Sequence, residues 1–168
     1  MTSALSERKR YGNGLVMGKF MPLHLGHEYL IDTALANCER LTIFVYSLPG
    51  QPIDGETRTG WVRERFPEAR VIHVVDFEPV YQESDPRFWS MWAEQIRSNH
   101  KGQIDAIFSS EDYGERLARE LGAEHVCVDR ARAVYGVSGT EIRNDPTGKL
   151  AFVSPAARAY VLSSLRKD

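Results

Sequence analysis

The chain has 168 residues, a size at which a single domain can enclose a hydrophobic core. Its formal net charge of -2 and sequence pI near 6.2 argue against general binding to nucleic acid or to a membrane surface. The polar N-terminus has no apolar signal-peptide core and no apolar run reaches the length of a membrane span, so we predict a cytoplasmic protein. Cys38 and Cys127 lie far apart in sequence and are predicted to be free thiols.

Short apolar, β-branched runs alternate along the chain with segments of helical periodicity. They predict strands at 15–20, 41–47, 69–77, 105–110 and 124–129, with helices at 28–41, 55–66, 87–99 and 113–122. A last helix is predicted from Pro155 with Ser154 as its N-cap. This alternation indicates βαβ units, and therefore an α/β, Rossmann-like, doubly wound parallel five-stranded sheet with helices on both faces. We predict a single domain over 1–168, in which 1–13 is a flexible N-terminal segment.

The stretch GKFMPLHLGH, residues 18–27, follows the first strand and precedes the first helix, where such sheets bind ligands. It fits neither a Walker loop, because Phe20 follows Lys19, nor a dinucleotide fingerprint, because Met17 replaces the third glycine. His24 and His27 are spaced so that both imidazoles can face one side of the first helical turn, where free N–H groups attract anions.

Three interpretations of the two histidines are open at this point. They can donate together to phosphate oxygens, or one can cap the helix while the other lies at the surface. A zinc site is disfavoured because no third ligand lies at helical spacing from the pair.

A second motif, SGTEIR at 138–143, follows the fifth predicted strand. Ser138 is placed to cap a short helix, Thr140 adds a hydroxyl, and Arg143 can fork onto phosphate oxygens. The alternative is an ordinary capped surface helix with Arg143 in a weak salt bridge.

Taken together, GKFMPLHLGH and SGTEIR resemble the two signatures of the nucleotidylyltransferase superfamily, G-x-F-x-P-x-H-x-G-H and S-x-T-x-x-R. The segments GKFMPLHLGHEYLIDTA, IDGETRTGWVRERFP, FSSEDYGERLARELGAEHVCVD and VSGTEIRNDP are further similar to the NadR-type nicotinamide-nucleotide adenylyltransferase domain, so that the resemblance covers roughly residues 14–160. It implies an enzyme that transfers AMP from ATP to nicotinamide mononucleotide or its nicotinic acid form, giving NAD and pyrophosphate. It also implies Mg²⁺ that accompanies the triphosphate, with no metal ligand from protein side chains.

The resemblance also assigns roles to residues of this chain. It implies catalytic roles for Lys19, His24, His27 and Arg143, and ATP contacts by Gly18, Lys19, Phe20, His24, His27, Ser138, Gly139, Thr140 and Arg143. It implies that Trp89 or Trp92 stacks on the nicotinamide ring, although both tryptophans can equally be core residues of their helix. Weaker candidates for contacts, for which capping or surface roles are equally good, are Arg58, Ser109, Ser110, Glu111, Asp129 and Arg132.

Two other functions are compatible with the motifs: adenylyl or cytidylyl transfer to another phosphate such as phosphopantetheine, and non-catalytic sensing of ATP or NAD. We expect no nucleic-acid or membrane partner, and neither a kinase nor a helix-turn-helix domain. The oligomeric state, for which relatives suggest a homo-oligomer, and the preference for the amide or the acid mononucleotide are left open.

Overall fold

The computed structural model describes residues 9–165, in which strands and helices alternate. The elements are β1 (Tyr11–Gly18), α1 (Leu25–Asn37), β2 (Cys38–Ser47), α2 (Gly55–Arg65), β3 (Arg70–Val75), α3 (Pro86–Asn99), β4 (Ala106–Ser109), α4 (Tyr113–Leu121), β5 (Glu124–Cys127), α5 (Gly139–Asn144) and α6 (Pro155–Tyr160). A 3-10 turn precedes α6 and a π-helical turn follows it. No helix within residues 9–165 is both long enough and apolar enough to cross a membrane.

The five strands form one parallel sheet in the order β3-β2-β1-β4-β5. The chain builds outward from β1 to β3 and then returns to the other side of β1, so the strand order switches between β1 and β4. This confirms the predicted doubly wound α/β fold. A crevice at the carboxyl ends of β1 and β4 is the expected ligand site of such a sheet.

Separate apolar cores cover the two faces of the sheet, as expected when both faces of a parallel sheet are buried. Residues from α1, α2 and α6 pack on one face, and residues from α3 and α4 pack on the other. Trp61 belongs to the first core, where its ring meets Tyr160 edge-on at 5.4 Å. Neither cysteine forms a disulfide; Cys38 is buried and Cys127 is exposed.

The first strand begins earlier than the apolar pattern predicts, at Tyr11 instead of residue 15. Residues 11–13 are therefore not a flexible segment, and that part of the prediction is wrong; residues 1–8 lie outside the described part of the chain. Gly14 sits inside the strand because a Cβ there would lie 2.8 Å from the Cys38 sulfur and 3.0 Å from the Phe108 ring. Close packing, not a turn, explains this glycine.

Two further expectations need correction. The first helix ends at Asn37 and not at residue 41, because Cys38 already pairs with Tyr11 as the first residue of β2. Ser154 does occupy the N-cap position of α6, but its hydroxyl makes no cap bond and instead donates to Glu28 at 3.0 Å. The predicted capped end of α6 is thus tied to α1.

Candidate active site

A pocket of about 740 Å³ opens at the carboxyl ends of β1, β2 and β4. Both motifs found in the sequence contribute to its wall, the first through the loop after β1 and the start of α1, the second through α5. Its volume is in the range of small-molecule and cofactor sites. The switch in strand order therefore coincides with the predicted ligand site.

His24 and His27 form a capping box at the start of α1. The Nδ1 atom of His24 accepts from the backbone N–H groups of Gly26 (3.1 Å) and His27 (3.4 Å), and Nδ1 of His27 accepts from the His24 N–H (3.2 Å). The two rings stack with centroids 3.6 Å apart. Because both Nδ1 atoms accept, a neutral ring carries its proton on Nε2, and that N–H is the group left for a ligand.

Both imidazoles are neutral near pH 7. Burial, with a smaller effect of the Arg132 cation, lowers the pKa of His24 to about 4. Burial also lowers the pKa of His27 well below its ordinary value, and His24 and Arg132 lower it further. The pair therefore supplies neutral N–H donors, while positive charge has to come from other residues.

The glycine of the H-x-G-H pattern, Gly26, is required by the position of the His24 ring. A Cβ at this position would lie 2.9 Å from Cε1 and 3.0 Å from Nδ1 of the His24 ring. The imidazole can fold over the helix start to cap it only because this side chain is absent. Gly26 thus acts on the site by allowing the His24 ring to take this position.

We expect Gly26→Ala to lower kcat at least about tenfold with little change in stability. The new methyl group pushes the His24 ring away, whereas alanine within a helix is favoured over glycine by about 0.5 to 1 kcal/mol, which offsets part of the lost cap. Steady-state kinetics and urea unfolding measure the two effects. Full activity of the variant would show that the ring position is unimportant.

The lowered histidine pKa values also predict the pH dependence of stability. Between pH 6.5 and about 4 the unfolded chain takes up a proton at His24 that the folded chain does not, so the free energy of unfolding falls as pH drops through this range. At a pH below the pKa of His24 in both the folded and the unfolded chain, the free energy of unfolding is lower by about 3 kcal/mol because of this residue.

Urea unfolding at about pH 7.5 and about pH 4.5 measures this loss, and His24→Asn serves as the comparison because asparagine also caps helices. We expect the variant to lose less stability on acidification than the parent chain. An equal loss in both proteins would assign the effect to other groups.

The second motif docks against the first through Gly139 and Arg143. A Cβ on Gly139 would lie 2.7 Å from the Met21 carbonyl oxygen, and Arg143 donates from Nη1 to that same oxygen. Ser138 caps α5 as predicted, accepting the Glu141 N–H at 3.2 Å. These contacts bring the α5 residues to the pocket.

All of the motif residues predicted as catalytic or ATP-contacting line the pocket, namely Gly18, Lys19, Phe20, His24, His27, Ser138, Gly139, Thr140 and Arg143. Lys19 is exposed and Phe20 is buried. The Arg143 guanidinium also donates to the Thr140 hydroxyl at 3.3 Å. Two cations, Lys19 and Arg143, thus share one cavity with the two imidazoles.

The two tryptophans of α3 are not equivalent. Trp92 lines the main pocket, donates from its indole N–H to the Tyr46 hydroxyl at 3.0 Å, and lies in offset stacks with Trp89 (6.0 Å) and Tyr113 (5.5 Å). Trp89 is only 8% exposed, donates to the Glu83 carbonyl, and lines a smaller adjoining cavity. Trp92 is therefore the tryptophan placed to meet a ligand in the main pocket.

Arg58 and Ser109 do not reach the pocket, so their predicted ligand contacts are wrong. Arg58 is 0% exposed and its guanidinium donates to the protein's own oxygens, including the carbonyls of Lys19 (2.6 Å) and Tyr46 (3.0 Å). Ser109 is 1% exposed, and its hydroxyl lies 2.7 Å from Nε2 of His125.

The other four weak candidates, Ser110, Glu111, Asp129 and Arg132, line the pocket. Arg132 makes an ion pair with Glu111 at 3.4 Å, which joins the loop after β5 to the loop after β4. Asp129 accepts the N–H groups of Ala133 and Val134 and so shapes its own loop. Residues 9–165 contain no group of three His, Cys, Asp or Glu side chains placed to hold a metal ion.

Sequence reasoning missed pocket residues on the loop after β2 and on neighbouring elements, notably Tyr46, Leu48, Gln51, Phe77 and Tyr113. No motif marks them. Their position after parallel strands is the one signal that could have suggested them.

Relatives and solved structures agree with the resemblance carried by the two motifs. No protein-family model matches the chain. It is 32% identical to the trifunctional NAD biosynthesis/regulator protein NadR of Escherichia coli (strain K12) and 31% identical to NadR of Salmonella typhimurium (strain LT2). Each alignment covers 83% of this chain and 38% of the relative, so the chain spans well under half the length of the curated relatives it matches.

Solved structures share the fold. A crystal structure of a NadR protein in complex with NR has a TM-score of 0.64 at 23% identity, and covers 89% of this chain and 46% of its own. The bifunctional NMN adenylyltransferase/ADP ribose pyrophosphatase from Francisella tularensis, complexed with AMP and a Mn ion, has a TM-score of 0.66 at 19% identity, and the match covers 90% of this chain and 48% of that one.

Proposed function

Because the chain is homologous to a segment of the NadR proteins, we propose that it is an adenylyltransferase that transfers AMP from ATP to nicotinamide mononucleotide, giving NAD and pyrophosphate. The relatives' name refers to NAD biosynthesis, and a protein of the same fold is described as an NMN adenylyltransferase. The acid form of the mononucleotide is a second acceptor in this proposal.

The observation that carries the proposal is the capping box of His24 and His27 in one pocket with Lys19 and Arg143. Capping fixes both Nδ1 atoms as acceptors, so each Nε2–H is a preorganised donor. Oriented donors and cations that share a site with developing phosphate charge are the main means of catalysis in phosphoryl and nucleotidyl transfer.

In the proposed reaction an oxygen of the mononucleotide phosphate attacks the α-phosphorus of ATP, and the bond from that phosphorus to the bridging oxygen of pyrophosphate breaks. The electron pair of that bond leaves with pyrophosphate. His24 and His27 donate to phosphate oxygens, while Lys19 and Arg143 offset the charge that grows on the leaving group. No protein nucleophile and no proton transfer to the imidazoles is needed, which agrees with their lowered pKa values.

Mg²⁺ is proposed to enter with the triphosphate. The described residues hold no cage of three metal-binding side chains, so the ion would be bound chiefly by phosphate oxygens. When bound, it neutralises part of the triphosphate charge.

The aromatic end of the pocket suits the flat, cationic nicotinamide ring. Trp92, Phe77, Phe88 and Tyr46 line the pocket on the side of α3 and β2. Aromatic faces and edges attract a cationic ring by stacking and cation–π interactions. We propose that Trp92 supplies this contact.

The test is NAD formation and pyrophosphate release from ATP and Mg²⁺ with a panel of acceptors: nicotinamide mononucleotide, its acid form and phosphopantetheine. We expect turnover with at least one mononucleotide and none with phosphopantetheine. Turnover with phosphopantetheine alone would reassign the acceptor, and nucleotide binding without any turnover would favour a sensing module.

A further inference from the structure

The loop between β2 and α2 brings one amide side chain, that of Gln51, to the wall of the main pocket. Neighbouring parts of the wall are apolar or aromatic, including Leu48 on the same loop and Phe77 after β3. The cations and imidazoles come instead from the loop after β1 and from α5. Gln51 is tied through Arg58 to the backbone carbonyls of Tyr46, whose ring is one of the aromatic groups of the wall, and of Lys19.

The orientation of the Gln51 amide is fixed by two donors. Its Oε1 accepts from the Leu48 N–H at 2.9 Å and from Arg58 Nη2 at 2.6 Å. A flipped amide would point its NH₂ group at two donors, so only one orientation is compatible with these contacts. Oε1 is fully engaged by the protein.

Arg58 makes this orientation rigid. The guanidinium is completely buried, and its other N–H groups donate to the carbonyls of Lys19, Tyr46 and Ile53. A guanidinium held on several sides cannot follow the Gln51 side chain if the loop moves. Arg58 therefore holds the Gln51 amide in one orientation before any ligand binds.

The Nε2 group of Gln51 donates to no other group within residues 9–165, and it is not among the buried polar atoms that lack a partner. The residue thus offers a ligand a donor and no acceptor. Such a group recognises an oxygen, whether of a carboxamide or of a carboxylate.

We propose that Gln51 is a specificity-determining residue, donating from Nε2 to the exocyclic carbonyl oxygen on the pyridine ring of the acceptor; this inference rests on the proposed function. A fixed N–H donor can bind either the amide or the acid mononucleotide, since each presents an oxygen. It presents no acceptor to the NH₂ of the amide. The parent chain therefore does not discriminate against the acid at this position.

The variant Gln51→Glu tests this assignment because it reverses the chemistry while keeping the scaffold. One carboxylate oxygen still accepts from Leu48 and Arg58, whereas the other presents an acceptor where Nε2 was. This oxygen can accept from the NH₂ of a carboxamide but repels a carboxylate. We expect the ratio of kcat/KM for the amide over the acid mononucleotide to rise at least about tenfold.

The matched control is Gln103→Glu, which adds the same charge at an exposed position before β4, at the opposite edge of the sheet. It should leave the ratio unchanged. Dissociation constants of both mononucleotides, measured by calorimetry for the parent chain and both variants, give the same ratio independently of turnover, and thermal unfolding verifies that the variants are folded.

The outcomes separate the two proposals. Turnover of either mononucleotide by the parent chain, with an unchanged ratio in folded Gln51→Glu, would overturn the role of Gln51 alone. An equal loss for both acceptors would also overturn it, because Gln51 would then contact a group common to both. A parent chain that binds mononucleotides without turnover would refute the proposed reaction, while the ratio of dissociation constants would still decide the role of Gln51. Binding of neither would overturn both.

Discussion

Replacing His27 with glutamine is expected to lower kcat by about 10²- to 10³-fold with little loss of stability. Glutamine at the third position of the helix can accept the His24 N–H through its side-chain oxygen, as in an ordinary capping box. It therefore preserves the helix start while replacing the fixed Nε2–H donor of the imidazole ring with an amide NH₂ group in a different position. Steady-state turnover and urea unfolding measure the two consequences separately.

A histidine outside the pocket provides the control. His100 follows α3 at the opposite edge of the sheet and is buried, so His100→Gln makes the same exchange far from the site. We expect it to leave kcat near that of the parent chain. If His27→Gln retained activity within about threefold, or lost stability as severely as activity, His27 would be a structural residue and the proposed chemistry would need another donor.

The position of the two histidines at the start of a helix was predictable from the sequence because the information there is local, whereas their reciprocal capping was seen only in the structure. Capping, helix geometry and the steric role of Gly26 all involve residues within one turn of each other. The same applies to Ser138, which caps α5 as predicted. The parallel sheet with both faces covered followed from the alternation of elements, whereas the strand order was seen only in the structure.

Depth within the fold was not predictable in the same way. Trp89 and Trp92 lie on one face of α3, as their spacing indicates, but the loop at Glu83 covers the first and the pocket reaches the second. Helical periodicity gives a direction around an axis and not the distance to solvent along it. The early start of β1 was missed because Gly12 and Gly14 lie within the strand without contributing apolar side chains.

Arg58 shows most clearly that the depth of a side chain in the fold cannot be predicted from the sequence. It also leads to the largest expected effect on stability. An arginine in the first turn of a helix is usually exposed, yet this one is completely buried. Its partners are carbonyl groups from the loop after β1, from the end of β2 and from Ile53. No sequence pattern reveals that three separate segments direct their carbonyls at one point.

We expect Arg58→Met to reduce the free energy of unfolding by about 3 to 5 kcal/mol. Methionine fills part of the space but leaves the carbonyl oxygens of Lys19, Tyr46 and Ile53 without this donor in a buried environment. The measurement is urea unfolding with linear extrapolation. Arg63→Met is the control, because Arg63 lies on the same helix, is exposed, and makes one contact at 3.5 Å; it should cost less than about 0.5 kcal/mol.

Arg58→Lys distinguishes the charge from the shape of the group. An ammonium keeps the charge but lacks the planar fork that reaches several carbonyls and Gln51 together, so we expect an intermediate loss of stability. The lysine variant should also raise KM for both substrates, because Arg58 holds both the Lys19 backbone and the Gln51 amide, and both residues line the pocket. A stability loss no greater than that of Arg63→Met would contradict this view, since it would mean that the carbonyls find other donors and that the pocket wall does not depend on this buried cation.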